Sequence, residues 1–262
     1  MKNITVLRYP GGKFKALKFI KPYWEKYEHY EYREPFLGGG SVFINKPISE
    51  RNILNDKDEN LIAFFKTLKS EKKRTELINN LKALSIDKEL YDKYYYSKPK
   101  TLIEKAERYY VLNRCSFSGI TVWNSYLKGN PRWNIENSIE KLKFVGKKLK
   151  NTEIKCEDFE KIINEKSKQD VFMFIDPPYA ESRQQAAYSK TFDINDHLRL
   201  EKALKQTKFK FLLTYDNCEF IQDLYSWAYK VPLNWTYSVA NAKVHHNPRE
   251  AGNELFISNF EI

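Results

Sequence analysis

The sequence predicts an α/β fold built on a mostly parallel sheet, and two βα units near the start support this prediction. Residues 30–36 are followed by three glycines at 38–40 and then by Ser41-Val42-Phe43-Ile44, an order typical of a strand, a turn and a helix start. A second short strand is predicted at residues 52–56, followed by a helical pattern of apolar residues between 61 and 68. Strands that alternate with helices favour a parallel sheet.

The remaining strand signals lie in the second half of the chain. Strands are predicted at residues 153–156, 171–175, 209–214 and 254–258, and the second of these is apolar throughout, as a central strand covered on both faces is. Between about Ser70 and Lys150 the pattern changes to lysine-rich amphipathic helices with many tyrosines. We therefore expect residues 1–68 and 150–262 to form the α/β core, and residues 69–149 to form an inserted helical domain.

Charge and composition narrow the class of partner. The chain has 45 basic and 34 acidic residues, a formal net charge of +11, which favours a nucleic acid as partner. The alternative explanation of this charge is a generally lysine-rich surface, with no nucleic acid as partner. Cys115, Cys156 and Cys218 have neither disulfide-framework nor zinc-ribbon spacing, and the histidines lack ligand spacing, so we predict no metal. With no signal-peptide or membrane-length apolar stretch, we expect a cytoplasmic protein that does not contact membranes.

The strongest chemical signal is Asp176-Pro177-Pro178-Tyr179, directly after the predicted central strand. Ligands of open α/β sheets bind at the carboxyl ends of the strands. The prolines fix the backbone and lack amide donors, so carbonyl oxygens remain to accept hydrogen bonds from an amino group. The carboxylate is a second acceptor and the tyrosine ring a stacking surface, a combination that suits an extruded adenine. The alternative is a stiff turn with a tyrosine cap.

Several motifs, in a fixed order, resemble those of the Dam-like, alpha-class adenine-specific DNA methyltransferases along nearly the whole chain. The motifs are Arg8-Tyr9-Pro10-Gly11-Gly12-Lys13, Glu34-Pro35-Phe36-Leu37-Gly38-Gly39-Gly40-Ser41, Asn55-Asp56 with Asn60-Leu61-Ile62, Leu112-Asn113-Arg114 with Phe117 and Gly119, Asp176-Pro177-Pro178-Tyr179, and Asn253-Glu254-Leu255-Phe256. The resemblance implies a Rossmann-like methyltransferase sheet, an inserted DNA-recognition domain and methylation of the adenine N6 amino group in double-stranded DNA. It also implies S-adenosylmethionine as the cofactor.

The resemblance also implies which residues contact that cofactor. These are Tyr9, Lys13, Asp56 and Asp176, and we add Phe36, Gly38 and Gly40 of the glycine turn. A strand-terminal acid can accept hydrogen bonds from ribose hydroxyls, and glycines let a ligand approach the backbone. Asp158 and Phe159 are candidates for holding the cofactor's adenine, although a helix cap and a core aromatic explain them equally well. Gly11-Gly12-Lys13 alone is also compatible with a simple turn.

The predicted DNA contacts lie in the helical insertion, where aromatic and basic residues interleave. Such residues suit phosphate contact, base-edge reading and wedging into the gap left by a flipped base, while a small helical domain with an aromatic core is the alternative. The candidates are Asn113, Arg114, Phe117, Ser118, Trp123 and Arg132. Members that methylate GATC carry an arginine where this chain has Thr121-Val122-Trp123, which argues against a GATC target. Arg132 or Arg249 is a candidate replacement.

Other functions remain open at this stage. Cytosine amino methyltransferases usually carry serine before Pro-Pro-Tyr, so Asp176 favours adenine. An RNA substrate fits the charge and the aromatic residues as well as DNA does. A catalytically silent DNA-binding protein would not need the cofactor residues, and a nicotinamide-dependent oxidoreductase lacks its glycine fingerprint. A restriction endonuclease partner would be a separate protein, and no obligate protein partner is evident.

Overall fold

The computed structural model describes residues 3–128, 133–180, 192–236 and 251–261. The strands in this part of the chain are β1 (Glu31–Glu34), β2 (Arg51–Asn55), β3 (Thr152–Lys155), β4 (Val171–Ile175), β5 (Lys210–Asp216), β6 (Tyr229–Thr236) and β7 (Ala251–Ser258). They form one seven-stranded sheet in the order β3-β2-β1-β4-β5-β7-β6.

The strand order creates a switch point at the centre of the sheet. Strands β1 to β5 pair in parallel, whereas β7 is antiparallel to both β5 and β6. From β1 the chain proceeds to β2 and β3 on one side, and then crosses to β4 on the other side. The carboxyl ends of β1 and β4 therefore border a crevice, the usual ligand position in such sheets. The predicted α/β class with a Rossmann-like sheet is confirmed.

Helices cover the sheet and form most of the insertion. They are α1 (Leu17–Lys26), α2 (Ser41–Asn45), α3 (Glu59–Lys69), α4 (Glu71–Lys82), α5 (Lys88–Tyr96), α6 (Leu102–Cys115), α7 (Glu136–Lys148), α8 (Phe159–Ile163), α9 (Ile194–Gln206) and α10 (Glu219–Leu224). Side chains cap several of them, as Asp58 does for α3 and Thr101 with Glu104 for α6. Among the described helices, none combines the length and the apolar character needed to cross a bilayer.

The two faces of the sheet belong to different hydrophobic cores. Successive residues of β4 point to opposite faces, so Phe172 and Phe174 pack in one core and Met173 and Ile175 in the other. This explains why β4 is apolar at every position. The first core also contains residues of α4, α6 and α7, so the inserted helices share the core of the sheet. The boundaries 69 and 149 of the insertion stay a prediction.

Candidate active site

A cleft of about 1080 Å³, including its open mouth, lies at the carboxyl ends of the parallel strands. Four segments line it: residues 9–13, the glycine turn after β1, residues 55–58 after β2, and Asp176-Pro177-Pro178-Tyr179 after β4. Motifs that are far apart in the sequence therefore meet at one site.

Asp176 is held in place at the centre of the cleft by two donors. The ammonium nitrogen Nζ of Lys13 lies 2.7 Å from Oδ1 of Asp176. The hydroxyl of Thr214, on β5, donates to the same oxygen at 2.6 Å. The Asp176 side chain is 20% exposed, so the carboxyl is still accessible from the cleft. Two donors on one oxygen fix the orientation of the acid before any ligand binds.

Lys13 lines the cleft and contacts the acid of the proline motif. It is buried, and it donates to the carbonyl oxygen of Gly11 at 2.9 Å in addition to its ion pair with Asp176. Its ammonium group also lies 4.9 Å from the centroid of the Tyr179 ring. The contact of Lys13 with the cofactor stays a prediction, and in the structure the lysine lines the cleft beside Asp176.

Tyr179 and Glu254 form the wall behind Asp176. Burial raises the pKa of the Tyr179 hydroxyl well above its usual value, and the nearby carboxyls of Asp176 and Glu254 raise it further. Burial also raises the pKa of Glu254, to about 7, against the opposing attraction of Lys13. Glu254 lies on β7, opposite Asp216 of β5. The sequence motif contained Glu254, but nothing in the sequence indicated that β7 would bring it to this site.

Asp56 and the glycine turn form the other half of the cleft. The backbone amides of Gly38 and Asp58 donate to the two oxygens of Asp56 at 2.9 and 3.0 Å, while burial raises the pKa of this acid to about 6. Gly38 has a φ of +49°, and a Cβ there would lie 2.9 Å from the Tyr9 ring. The turn therefore requires glycine because of both its conformation and the packing of Tyr9.

An aromatic cluster borders the cleft beyond Asp56. The rings of Phe36 and Phe159 stack with centroids 5.3 Å apart, and Phe192 meets Phe36 edge-on at 5.7 Å. All three residues line the cleft. Phe192 was not predicted as a site residue, because it follows a part of the chain with no strand or motif signal. The cluster supplies an apolar surface for a flat ring.

Two predicted cofactor residues have structural roles and do not line the cleft. The Asp158 carboxylate accepts from the amide of Glu160 at 3.0 Å, caps α8, and pairs with Arg199 at 2.8 Å. The helix-cap alternative for Asp158 therefore describes its position, because its carboxylate already has these partners. Gly40 has a φ of +67° immediately before α2, and a Cβ there would meet Phe65 at 3.1 Å. Its requirement for glycine is conformational.

Glu34 lines the cleft although it was not predicted as a site residue. It is the last residue of β1, and the Tyr32 hydroxyl donates to its carboxyl at 2.5 Å. Burial raises the pKa of Glu34 to about 8. Behind it, the buried Asn55 amide donates to the carbonyls of Pro35 and Glu157, both at 3.0 Å. Asn55 thus ties together the loops that follow β1, β2 and β3.

The predicted DNA contacts divide into exposed and buried residues. Phe117 and Trp123 are 47% and 40% exposed, and Ser118 lies beside Phe117 with a φ of +53°. Arg114 is partly buried at the end of α6. Asn113 is fully buried, and in the described part of the chain its side chain bonds to backbone groups of Arg8 and Gly119. Its burial and these bonds indicate a structural role, while its contact with DNA stays a prediction. Arg132 and Arg249 lie outside the described residues.

The mostly parallel sheet, the switch-point cleft and the acids that end its strands form a Rossmann-like fold with a ligand site. Residues 9–239 match the family described as D12 class N6 adenine-specific DNA methyltransferase, and the chain belongs to this family. The resemblance in the sequence motifs and the adenine specificity they imply are confirmed, and the protein is a DNA adenine methyltransferase.

Named relatives agree with this membership. The type II methyltransferase M.MjaIII of Methanocaldococcus jannaschii is 29% identical over 253 residues, covering 84% of this chain and 86% of the relative. M.CviBI, a type II methyltransferase of Paramecium bursaria Chlorella virus NC1A, is 26% identical over 227 residues, with 84% and 85% coverage. The DNA adenine methylase of Haemophilus influenzae is 25% identical over 247 residues, with 87% and 85% coverage.

Proposed function

We propose that this cleft transfers a methyl group from S-adenosylmethionine to the N6 amino group of an adenine flipped out of double-stranded DNA. The observation that carries this proposal is the position of Asp176. Its carboxylate follows the central strand, is oriented by Lys13 and Thr214, and faces the cleft. The methyltransferase family implies the use of S-adenosylmethionine.

The residues of the cleft fit this cofactor. Asp56 is a partly buried acid that can accept hydrogen bonds from ribose hydroxyls, and its backbone partners fix its direction. Phe36 and Phe159 offer an apolar surface for the adenine ring. The turn at Gly38 lets a ligand approach the backbone, and Tyr9 closes the turn on its other side. We assign cofactor binding to these residues, with Asp176 between the cofactor and the target base.

Asp176, Pro177, Pro178 and Tyr179 hold the target base. S-adenosylmethionine supplies an activated methyl group when bound, so the protein need not form a covalent bond with the substrate. Lys13 and Thr214 both approach Oδ1 of Asp176, and we assign Oδ2 and the Pro177 carbonyl to the two protons of the adenine amino group. These acceptors draw the nitrogen lone pair out of the ring and orient it, while Tyr179 stacks on the base.

The helical insertion, residues 69–149, is the proposed target-recognition domain. Phe117, Ser118 and Trp123 lie on an exposed loop after α6, and exposed aromatic residues suit insertion between bases. Arg114 and Arg132 are proposed phosphate or base contacts. We propose a short adenine-containing site other than GATC as the target. The type II methyltransferases among the relatives favour a modification role alongside a separate restriction endonuclease.

The test uses purified protein, labelled S-adenosylmethionine and double-stranded DNA, with digestion of the product to nucleosides. We expect the label in N6-methyldeoxyadenosine and none in methylated cytosine. The same assay with single-stranded RNA should give no labelled nucleoside. Label found in RNA and not in DNA would show that RNA is the substrate. Protein that binds no S-adenosylmethionine in calorimetry would contradict the proposed cofactor.

A further inference from the structure

Asn113 lies at a junction between two parts of the proposed machinery. The amide of Arg8 donates to Oδ1 of Asn113 at 3.0 Å. In turn, Nδ2 of Asn113 donates to the carbonyl oxygen of Arg8 at 2.6 Å and to that of Gly119 at 3.0 Å. One buried side chain therefore binds the backbone of the N-terminal segment and the backbone of the loop that exposes Phe117.

Two further contacts strengthen this junction. The Arg8 guanidinium donates through Nη1 to the carbonyl oxygen of Ser116 at 2.8 Å. A Cβ at Gly119 would lie only 2.2 Å from the carbonyl oxygen of Arg8, and Gly119 has a φ of +82°. The loop and the N-terminal segment are thus in direct backbone contact, which only glycine permits at this position.

The opposite side of the same segment forms part of the cleft. Tyr9 packs on the glycine turn, where a Cβ at Gly39 would lie 3.0 Å from the Tyr9 Cβ. Lys13 pairs with Asp176 at 2.7 Å. Residues 8–13 therefore contact the loop around Phe117 on one side. On the other side they contact the residues proposed for cofactor binding and catalysis.

We infer that Asn113 is a positioning residue that couples cofactor binding to DNA binding by fastening the loop around Phe117 to residues 8–13. A ligand that orders residues 8–13 from the cleft also orders the loop through Asn113, so the second ligand loses less conformational entropy on binding. Each ligand then strengthens the binding of the other by the same factor. This inference rests on the proposed cofactor and DNA sites.

The test measures the coupling as a ratio of affinities. A fluorescent duplex carrying the motif that the protein methylates is titrated with protein, with and without S-adenosylhomocysteine, which cannot donate a methyl group. In the wild-type protein we expect the analogue to tighten DNA binding about 5- to 150-fold, the usual range of such coupling. In Asn113→Ala the ratio should fall close to one, while the affinity for the analogue alone changes little.

A matched control lies in the same loop. The Asn124 amide donates to Asp92 of α5 at 2.7 Å, so Asn124→Ala loosens the loop where it contacts α5 and leaves Arg8 untouched. We expect this variant to keep the wild-type ratio. If Asn113→Ala does not fold, Arg8→Met probes the same junction, because it removes the bond to Ser116 while the bonds of Asn113 remain. It should lower the ratio, and a folded Arg8→Met with the wild-type ratio would count against the junction.

Hydrogen exchange gives a readout independent of DNA. The amides of Phe117 and Ile120 bond within the loop, to the carbonyls of Ser125 and Phe117. S-adenosylhomocysteine alone should slow their exchange in the wild type and in Asn124→Ala, and not in Asn113→Ala. A wild-type ratio of one, an unchanged ratio in folded Asn113→Ala, or an equal loss in Asn124→Ala would overturn the inference. Wild-type protein that neither binds the analogue nor methylates DNA would instead refute the proposed function.

Discussion

The two ends of the sheet bury acidic side chains in opposite ways. At the amino end of β1, Glu31 is buried between two arginines, with 2.6 Å to Arg33 Nε and 3.0 Å to Arg51 Nη1. Arg51 reaches two further acids, Glu153 and Glu165. Burial opposes ionisation of Glu165, yet Lys155 and Arg51 lower its pKa below the usual value. Each of these three acids therefore pairs with at least one arginine.

At the carboxyl end of the sheet the buried acids are held mainly by amides and hydroxyls. Backbone amides bind Asp56 and the Tyr32 hydroxyl binds Glu34, while burial raises the pKa of Asp56 to about 6 and that of Glu34 to about 8. Glu254 has its pKa raised to about 7. Raised pKa values of this kind cluster at functional sites. The comparison separates acids that pair with cations at the amino end from acids whose raised pKa values mark the candidate site.

The largest effect expected is at Asp176. Asp176→Ala removes the acceptor for the adenine amino group and should lower single-turnover methyl transfer about 10²- to 10³-fold, the scale of losing a preorganised polar group at a reacting centre. Rates are measured with saturating DNA and cofactor, and the midpoint of thermal unfolding shows that the variant folds. Turnover near the wild-type rate would contradict the assignment of Asp176.

A substitution at the amino end of the sheet should lower the free energy of unfolding and leave the activity unchanged. Glu31→Ala leaves the buried Arg33 without its acid, and breaking such a pair costs about 3–5 kcal/mol of unfolding free energy. Urea denaturation measures this loss. The rate of methyl transfer per folded molecule should remain that of the wild type. A fall in the rate of methyl transfer without a fall in stability would contradict the structural role assigned to Glu31.

Asp56 tests the cofactor half of the cleft. Asp56→Asn removes the charged acceptor, and a hydrogen bond to a charged group contributes about 1.5–3 kcal/mol, so binding of S-adenosylmethionine should weaken about 10- to 150-fold in calorimetry. Asp158→Asn is the control, because Asp158 caps α8 and does not line the cleft. If both variants lose the same affinity for S-adenosylmethionine, Asp158 also belongs to the cofactor site.

The smallest effect is expected at Glu254, where the protein's stability should depend on pH. Its folded-state pKa of about 7 lies above that of an exposed glutamate, so its stabilising contribution is complete below about pH 4.5 and is lost as the pH rises through 7. Glutamine cannot ionise. The melting temperature of Glu254→Gln minus that of the wild type should therefore increase from pH 5 to pH 8. For Glu165→Gln the same difference should stay constant, since the lowered pKa of Glu165 keeps it ionised throughout this range.

Sequence patterns predicted the strand that is buried on both faces. They missed an edge strand, whose residue types reflect its position at the border of the sheet. The strand at Val171–Ile175 was predicted with its observed bounds because it is buried on both faces. The strand at Tyr229–Thr236 was not predicted, since it contains Pro232 and polar residues. It is an edge strand that pairs only with β7 among the described strands, and an edge strand tolerates a proline. The helix α1, with Pro22 inside it, was missed as well.

The candidate site was predictable where a motif is contiguous. Asp176 and Asp56 each follow a recognisable strand, so their residue type and position already indicated a ligand site. The bond from Thr214 to Asp176 joins residues 38 apart and exists because β5 is the neighbour of β4. The position of Asn113 likewise depends on contact with Arg8, 105 residues away. Such contacts depend on tertiary packing, which local patterns do not encode.

The most direct test of the central claim is single-molecule sequencing of DNA from a methylation-free host that expresses this protein, beside a strain expressing Asp176→Ala. We predict N6-methyladenine in one short motif other than GATC, present with the wild-type protein and absent with the variant. Unmodified DNA from a host in which the folded protein is well expressed, or equal methylation with Asp176→Ala, would contradict this account of the active site.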